Sequence, residues 1–258
     1  MLKILISNDD GVKAPGIIEL HSELKDIAEV IVVAPKQNQS GAGSSITTNK
    51  AINVKQLKNG FFSVNGRPAD CVYIGIHALC PWEPDLVVSG INLGANMAED
   101  ILYSGTVGAA LEGRHLKFPP IAVSSAAFKQ PGSEKLDVPN YRVAAKVTRE
   151  IVLKINKLKL KRGTCLNINV PNITYSEDIT KTVTKLGTWG YRSPPDSLAL
   201  KNGSKNYYTT HRTNYPENEY NSDIATLLRN EVSISPFSDK LLQIDESQKI
   251  SNWLNENF

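Results

Sequence analysis

Apolar and polar positions change period repeatedly along the first half of the chain. Lys3 to Ser7 is a short β-type run, and Pro15 can occupy the first turn of a following helix. Ile17, Leu20, Leu24 and Ile27 then recur at helical spacing, which predicts one buried stripe. Val30 to Pro35 is β-branched and apolar on both faces, the pattern of a central parallel strand, so strand, helix and strand already make a βαβ unit. Residues 46 to 64 alternate in shorter segments, with Asn59-Gly60 and Asn65-Gly66 as turn signals, and read as an inserted hairpin. Pro68 to Leu79 reads as a helix, Asp85 to Gly90 as a buried strand ending in a polar loop, Thr106 to Arg114 as a helix and Ile121 to Ser124 as a strand. Ala144, Val147, Ile151, Ile155 and Leu158 mark a long amphipathic helix before a strand at Leu166 to Val170.

Beyond Pro171 the pattern loosens, and Tyr, Asn, Ser and Pro concentrate between Ser193 and Asn221. With few apolar positions that segment cannot easily build its own core, so extended hairpins reaching across a subunit interface are expected. The whole is read as one α/β domain over 1–258, with a Rossmann-like, mostly parallel sheet flanked by helices in 1–171. Residues 172–258 are expected to form an extended hairpin arm and a C-terminal helix.

Composition adds mainly exclusions. In 258 residues, 29 Lys and Arg stand against 26 Asp and Glu, and a net charge of +3 makes no case for a nucleic acid polymer or an anionic membrane as partner. Hydrophobic content of 41% with 21% charged residues is that of a globular chain. No stretch approaches the ~18 apolar residues of a membrane span, and acids interrupt the first apolar run before a signal sequence can form, so a cytoplasmic location is expected. Cys71, Cys80 and Cys165 form no C-x-x-C pair and suit a reducing compartment as core thiols; a reactive nucleophile among them is the competing reading. Lys157, Lys159, Lys161 and Arg162 cluster near a helix C-terminus, where they complement its dipole.

In an open parallel sheet ligands bind beyond the C-terminal strand ends, and three loops there are unusually polar. They are Ser7-Asn8-Asp9-Asp10-Gly11, Lys36 to Ser45, and Ser89 to Asn96. Adjacent aspartates on a regular strand would point to opposite faces, so a shared target places them in the turn beyond it. Held close and partly desolvated, Asp9 and Asp10 either share a proton or recruit a cation. Oxygen ligands favour a hard ion, Mg²⁺ or Mn²⁺ above all and also Ca²⁺. A hydroxyl from Ser40 and an amide oxygen from Asn92 can complete the set. The structural alternative makes Asp9 and Asp10 a helix cap and a first-turn acid.

The stretch Tyr103-Ser104-Gly105-Thr106-Val107-Gly108-Ala109-Ala110 leads small residues into a helix, either to receive a phosphate on backbone N–H groups or simply as a capped helix start. It is not a P-loop, and neither a dinucleotide fingerprint nor a G-x-S-x-G elbow is present. His21 and His77 read as helix-surface or packing residues, and His211 lies in the loose region, from which it could approach a site.

Four fragments in order resemble the SurE family of stationary-phase survival proteins. They are Ile6 to Gly11, Asn38-Gln39-Ser40-Gly41-Ala42, Val88-Ser89-Gly90-Ile91-Asn92-Leu93-Gly94, and Tyr103 to Ala110; fainter matches follow at Asn167 to Pro171, Ser222 to Ala225 and Val232 to Pro236. The resemblance implies a metal-dependent phosphatase of nucleoside 5′- and 3′-monophosphates, some members also trimming short polyphosphate. It implies a C-terminal arm exchanged in homodimers or homotetramers. Carried over motif by motif, Asp9, Asp10, Ser40 and Asn92 bind one divalent cation, with Asp9 and Asp10 catalytic, and Asn96, Ser104, Gly105 and Thr106 surround the phosphate. Arg67 departs from the family pattern, where many relatives carry Thr. Two rivals stand beside this reading: a different metal-dependent phosphohydrolase, and a nucleotide-binding stress or scaffold protein without turnover. Against the first, the haloacid-dehalogenase class needs Asp-x-Asp after its first strand, whereas these acids are adjacent.

Overall fold

A computed structural model describes residues 1–126, 138–190, 194–200, 202–208 and 217–238. The chain runs β1 (Leu2–Ser7), α1 (Pro15–Leu24), β2 (Ala28–Pro35), β3 (Val54–Gln56), β4 (Phe62–Val64), α2 (Pro68–Ile74), β5 (Leu86–Leu93), α3 (Gly105–Glu112), β6 (Ile121–Ser125), α4 (Tyr141–Lys154) and β7 (Thr164–Val170). Then follow β8 (Lys181–Val183), β9 (Asp196–Ala199), β10 (Lys205–Tyr208), α5 (Asp223–Leu228) and β11 (Val232–Ser238).

One nine-stranded sheet carries the order β3-β4-β2-β1-β5-β6-β7-β11-β8. From β4 to β7 neighbouring strands are parallel; β3 and β11 pair antiparallel with β4 and β7. The two-residue period of the strands divides their side chains between two cores. Ile4, Ile6, Val32, Leu86 and Val88 face α1 and α4, whereas Leu5, Val33 and Val87 face α2 and α3. Burial on both faces accounts for the nearly continuous apolar runs in the sequence. Because β1 lies between β2 and β5, the chain order reverses at its tip, and that is where an open α/β sheet leaves a crevice.

The hairpin expected in 46 to 64 is β3–β4, turned at Asn59-Gly60, and it adds to the sheet through β4 against β2. Asp70 fastens it to the core: the buried carboxylate accepts from the Thr47 N–H at 2.9 Å, the Thr47 hydroxyl at 2.6 Å and the Arg67 N–H at 2.8 Å. The helix predicted from Pro68 to Leu79 is α2 continued by a π-helical turn over Gly75–Leu79.

Several boundaries differ from the sequence reading: α3 stops at Glu112 rather than Arg114, and α4 stops at Lys154 and gives way to a 3-10 turn over Ile155–Lys157 before Leu158. α1 stops at Leu24, three residues before Ile27. β5 does not end at Gly90 but shifts register between Ser89 and Asn92 and continues to Leu93, so Asn92 sits on the strand rather than in a free loop. Gly90 permits the shift: its φ is +142°, and a Cβ there would lie 2.3 Å from the Val123 carbonyl oxygen. In the loose region β9 and β10 form a separate two-stranded hairpin whose residues are all exposed. A helix at the C-terminus itself, and His211, lie outside the described residues.

α1 meets β5 at Gly16, where a Cβ would fall 2.1 Å from the Ile91 carbonyl oxygen. In an open helix Gly16→Ala would stabilise by up to ~1 kcal/mol, but here the added methyl must push helix and strand apart. The variant is expected to lose ~1–3 kcal/mol in urea unfolding, the opposite sign to the helix-propensity effect.

Candidate functional site

The turn after β1 is shaped by Asn8 and Gly11. The buried Asn8 amide accepts from the Gly11 N–H at 3.1 Å and donates to the Gly11 carbonyl at 3.0 Å, closing a tight loop around Asp9 and Asp10. Gly11 has φ +110°, which a side chain would strain. The loop after β2 is drawn onto this turn by the Gln39 N–H, which donates to the Asp9 carbonyl at 2.7 Å, and by the Val12 N–H, which donates to the Pro35 carbonyl at 2.8 Å.

Asp9 is only 3% exposed. Its Oδ1 accepts from the Thr106 hydroxyl at 2.5 Å, and a Cβ on Gly105 would lie 2.9 Å from its Oδ2, so the start of α3 closes directly over this carboxylate. Burial raises the Asp9 pKa; the Thr106 hydroxyl and the N–H groups of Thr106 and Gly105 offset part of that rise. Asp10 accepts from the Leu93 N–H at 3.1 Å, and burial, reinforced by the charge of Asp9, pushes its pKa up to about 6. Tyr141, at the start of α4, has its hydroxyl pKa raised by burial and by the charge of Asp10.

These contacts remove the capping alternative for the acid pair, because the N-cap of α1 is Ala14 and no side chain caps that helix. For α3 capping holds: Ser104 is its N-cap and accepts from the Val107 N–H at 3.1 Å. Thr106 and Gly105 face Asp9, so this helix start serves the carboxylate.

Asn92 brings its amide to the mouth of the same crevice. The Nδ2 group donates to the Gly94 carbonyl at 2.8 Å, and Oδ1 accepts no hydrogen bond among the described residues. Ser40 is exposed in the loop after β2, where its N–H donates to the Asn38 side chain at 2.7 Å. Asn96, 9% exposed, donates to the Ser124 hydroxyl at 2.9 Å, and its backbone is gripped by two asparagines of β7. Asn169 accepts from the Asn96 N–H, and Asn167 and Asn169 both donate to the Asn96 carbonyl.

Sequence reasoning did not single out this second layer as functional. Ser124, Asn167 and Asn169 lie fully buried within apolar strands, and polar residues at such positions were the available signal. Asp223 was missed too. Its buried carboxylate accepts from the Ala98, Gly187 and Ile224 N–H groups at 2.8 Å each, anchoring the loop between β5 and α3 to the last part of the chain. Burial raises its pKa even so.

The other candidates fall away. Burial pushes the thiols of Cys71 and Cys165 far up and that of Cys80 to about 11, so none is an activated nucleophile. His21 packs edge-on against Phe61 and His77 against Tyr73. A cavity of about 680 Å³ lies around Pro84, Pro119 and Thr164, at the N-terminal ends of β5, β6 and β7 and away from the acid pair.

Among the described residues no group of three or more His, Cys, Asp or Glu is placed to hold a metal. The two adjacent carboxylates offer oxygen donors only, the chemistry of hard cations.

A doubly wound α/β protein with paired acids at its switch point is built to handle an anionic ligand through a cation or a shared proton. Residues 4–193 match the family described as survival protein SurE. The curated 5′-nucleotidase SurE of Pseudomonas savastanoi pv. phaseolicola is 40% identical over 253 residues, 98% of each chain. That of Idiomarina loihiensis is 40% identical over 259 residues, 99% of each. The crystal structure of the SurE protein from Aquifex aeolicus superposes with a TM-score of 0.82 at 35% identity, covering 97% of this chain and 98% of that one. The chain therefore belongs to the SurE family.

The ordinary aspartate value is 3.8 and the native value for Asp10 is about 6, so between them the folded state binds more protons than the unfolded one. Stability must then fall as pH rises through that window. Asp10→Asn keeps an acceptor for the Leu93 N–H and removes the charge. In chelator-treated protein it is expected to raise the melting temperature by about 2–6 °C at pH 7.5. The difference from wild type opens between roughly pH 4 and 6 and is level above pH 7. Differential scanning fluorimetry across pH checks both parts.

Proposed function

We propose that this protein is a metal-dependent phosphomonoesterase that hydrolyses nucleoside monophosphates to nucleoside and phosphate at the Asp9–Asp10 turn. The observation that carries the reading is two adjacent carboxylates at the sheet's switch point, Asp9 buried against a helix start and Asp10 half-buried against β5, with both pKa values raised. That arrangement is costly alone and favourable around a cation. The 5′-nucleotidase name of relatives aligned over nearly the whole chain supports the same activity.

Asp9, Asp10, Ser40 and the Oδ1 of Asn92 would hold the ion. When bound, it supplies positive charge that draws electron density from the phosphoryl oxygens. Mg²⁺ or Mn²⁺ suits this oxygen set, and Ca²⁺ would bind without the same demand on geometry. Thr106 fixes the orientation of Asp9 through its hydroxyl, and Asn96, set by β7, forms the far wall with Ser104 and Gly105 at the helix start. Hydrolysis adds a water oxygen to phosphorus and breaks the ester bond, and the nucleoside hydroxyl leaves with a proton. Substrates of both 5′ and 3′ type, and short polyphosphate, fall within this reading.

The test is phosphate release from a panel of nucleoside 5′- and 3′-monophosphates with Mg²⁺, with Mn²⁺ and with chelator. Release is expected only with added ion, and Asp9→Asn is expected to lower kcat by at least about 100-fold while weakening ion binding in calorimetry. Release that persists in chelator would remove the metal, and no release from any nucleotide would leave a binding protein without turnover.

The hairpin β9–β10 supports an arm that packs on a second copy of the chain, giving homodimers or homotetramers. It exposes Leu198, Tyr207 and Tyr208 and joins no strand of the main sheet. Deleting 196–208 is expected to lower the mass measured by light scattering, and an unchanged mass would refute the arm. The three free thiols support a cytoplasmic location, and no helix among the described residues is long and apolar enough to cross a membrane.

A further inference from the structure

Beside the acid pair, on the β2–β4 side, lie two adjoining cavities of about 280 and 560 Å³ that share Lys36, Gln37 and Asn65 as walls. The first is also lined by Lys50 and Arg67, the second by Lys13 and Lys55. Five exposed cations, Arg67 and four lysines, thus line a hollow that contains no carboxylate, and none of the five makes an ion pair among the described residues. Asp70, three residues from Arg67, has both oxygens engaged by Thr47 and the Arg67 N–H, and Asp10, three residues from Lys13, belongs to the acid pair. Such a concentration of like charge costs self-repulsion unless an anion joins it.

The hollow is coupled to the acid pair by a short hydrogen-bonded path. The Arg67 guanidinium donates to the Gln39 Oε1 at 2.7 Å, and the Gln39 N–H donates to the Asp9 carbonyl at 2.7 Å. One bond to Gln39 leaves the other donors of the guanidinium for a ligand, and its planar fork matches a phosphate. Gly11 brings the two places together from the other side, since a Cβ there would lie 3.4 Å from the Gln37 carbonyl carbon.

The geometry points to a second-phosphate subsite: the hollow around Arg67, Lys36 and Lys50 holds a second phosphate of a nucleoside 3′,5′-bisphosphate while the first meets Asp9 and Asp10. This rests on the phosphatase reading above and narrows its substrate class. Water adds to phosphorus at the acid pair, one ester bond breaks, and the products are inorganic phosphate and a nucleoside monophosphate, which no longer spans both places. Because the second phosphate takes no part in bond breaking, its contribution falls on KM rather than kcat.

The experiment compares kcat/KM for adenosine 3′,5′-bisphosphate with that for adenosine 5′- and 3′-monophosphate, in wild type and in Arg67→Thr, Lys36→Gln and the double variant. Wild type is expected to favour the bisphosphate by about tenfold or more, through KM, with the preference shrinking as salt rises from about 50 to 500 mM. Each single variant is expected to lower the ratio about threefold or more, and the double variant to bring it near one. Since both substrates are measured on the same preparation, partial misfolding cancels from the ratio. Equal efficiency on mono- and bisphosphates in wild type, or a preference that survives in the double variant, overturns the subsite and leaves the phosphatase reading intact. Hydrolysis of none of the three overturns both.

Discussion

Two negative charges pressed together at the end of a buried strand set the terms for everything around them. A carboxylate as enclosed as Asp9 is unfavourable unless neighbouring dipoles or a counter-charge compensate it, and the start of α3 supplies the dipoles while two other elements hold the turn in place. β1 delivers the acids, the loop after β2 closes behind them through Gln39, and α3 places a hydroxyl and a helix start against Asp9. Small residues are required where these pieces converge. Gly105 leaves room for Asp9, and Gly108 leaves room for the Gly43 carbonyl, which a Cβ would approach to 2.5 Å. The turn is therefore held in shape by backbone contacts that exist before any ligand arrives, a form of preorganisation.

Behind this first set of contacts stands a polar seam running through the sheet. β5, β6 and β7 put Asn92, Ser124 and Asn169 in register, and Asn167 and Asn169 together hold Asn96 by its backbone. Hydrogen bonds in so dry a place fix geometry more tightly than apolar packing would, although the Asn167 Oδ1 itself has no partner among the described residues. Ser7, Ser89 and Ser125 carry buried hydroxyls with no partner among the described residues, at the same end of the sheet. The polar content of these strands thus rises toward the crevice, while their other ends are aliphatic.

Much of the fold could be read from the chain because its elements obey simple periods. Ile4-Leu5-Ile6 and Leu86-Val87-Val88 are apolar on both faces, and Ile17, Leu20 and Leu24 keep helical spacing, so strand, helix and strand were separable. The acid pair was readable because two adjacent charges after such a run have few structural uses. What the pattern did not give were features set by tertiary contact. β5 passes through Gly90 to Leu93 because Val123 lies alongside, and nothing local marks that continuation. The engagement of Asp9 by Thr106 spans 97 positions, and that of Ala98 by Asp223 spans 125. Neither the Asn167–Asn169 clasp nor the cationic hollow around Arg67 can be seen until distant segments are brought side by side.

The anchorage of Ala98 to Asp223 also orders events in time. Trp189 adds a bond from its indole to the Met97 carbonyl and one from its backbone to Glu99, so the strap between β5 and α3 is tied down by residues made long after it. On a ribosome the parallel strands and their helices can emerge and pair while that strap still lacks its tether. A growing polypeptide cannot lock this wall of the crevice until residue 223 has left the exit tunnel, so the wall matures only after β1, β5 and β6 have emerged.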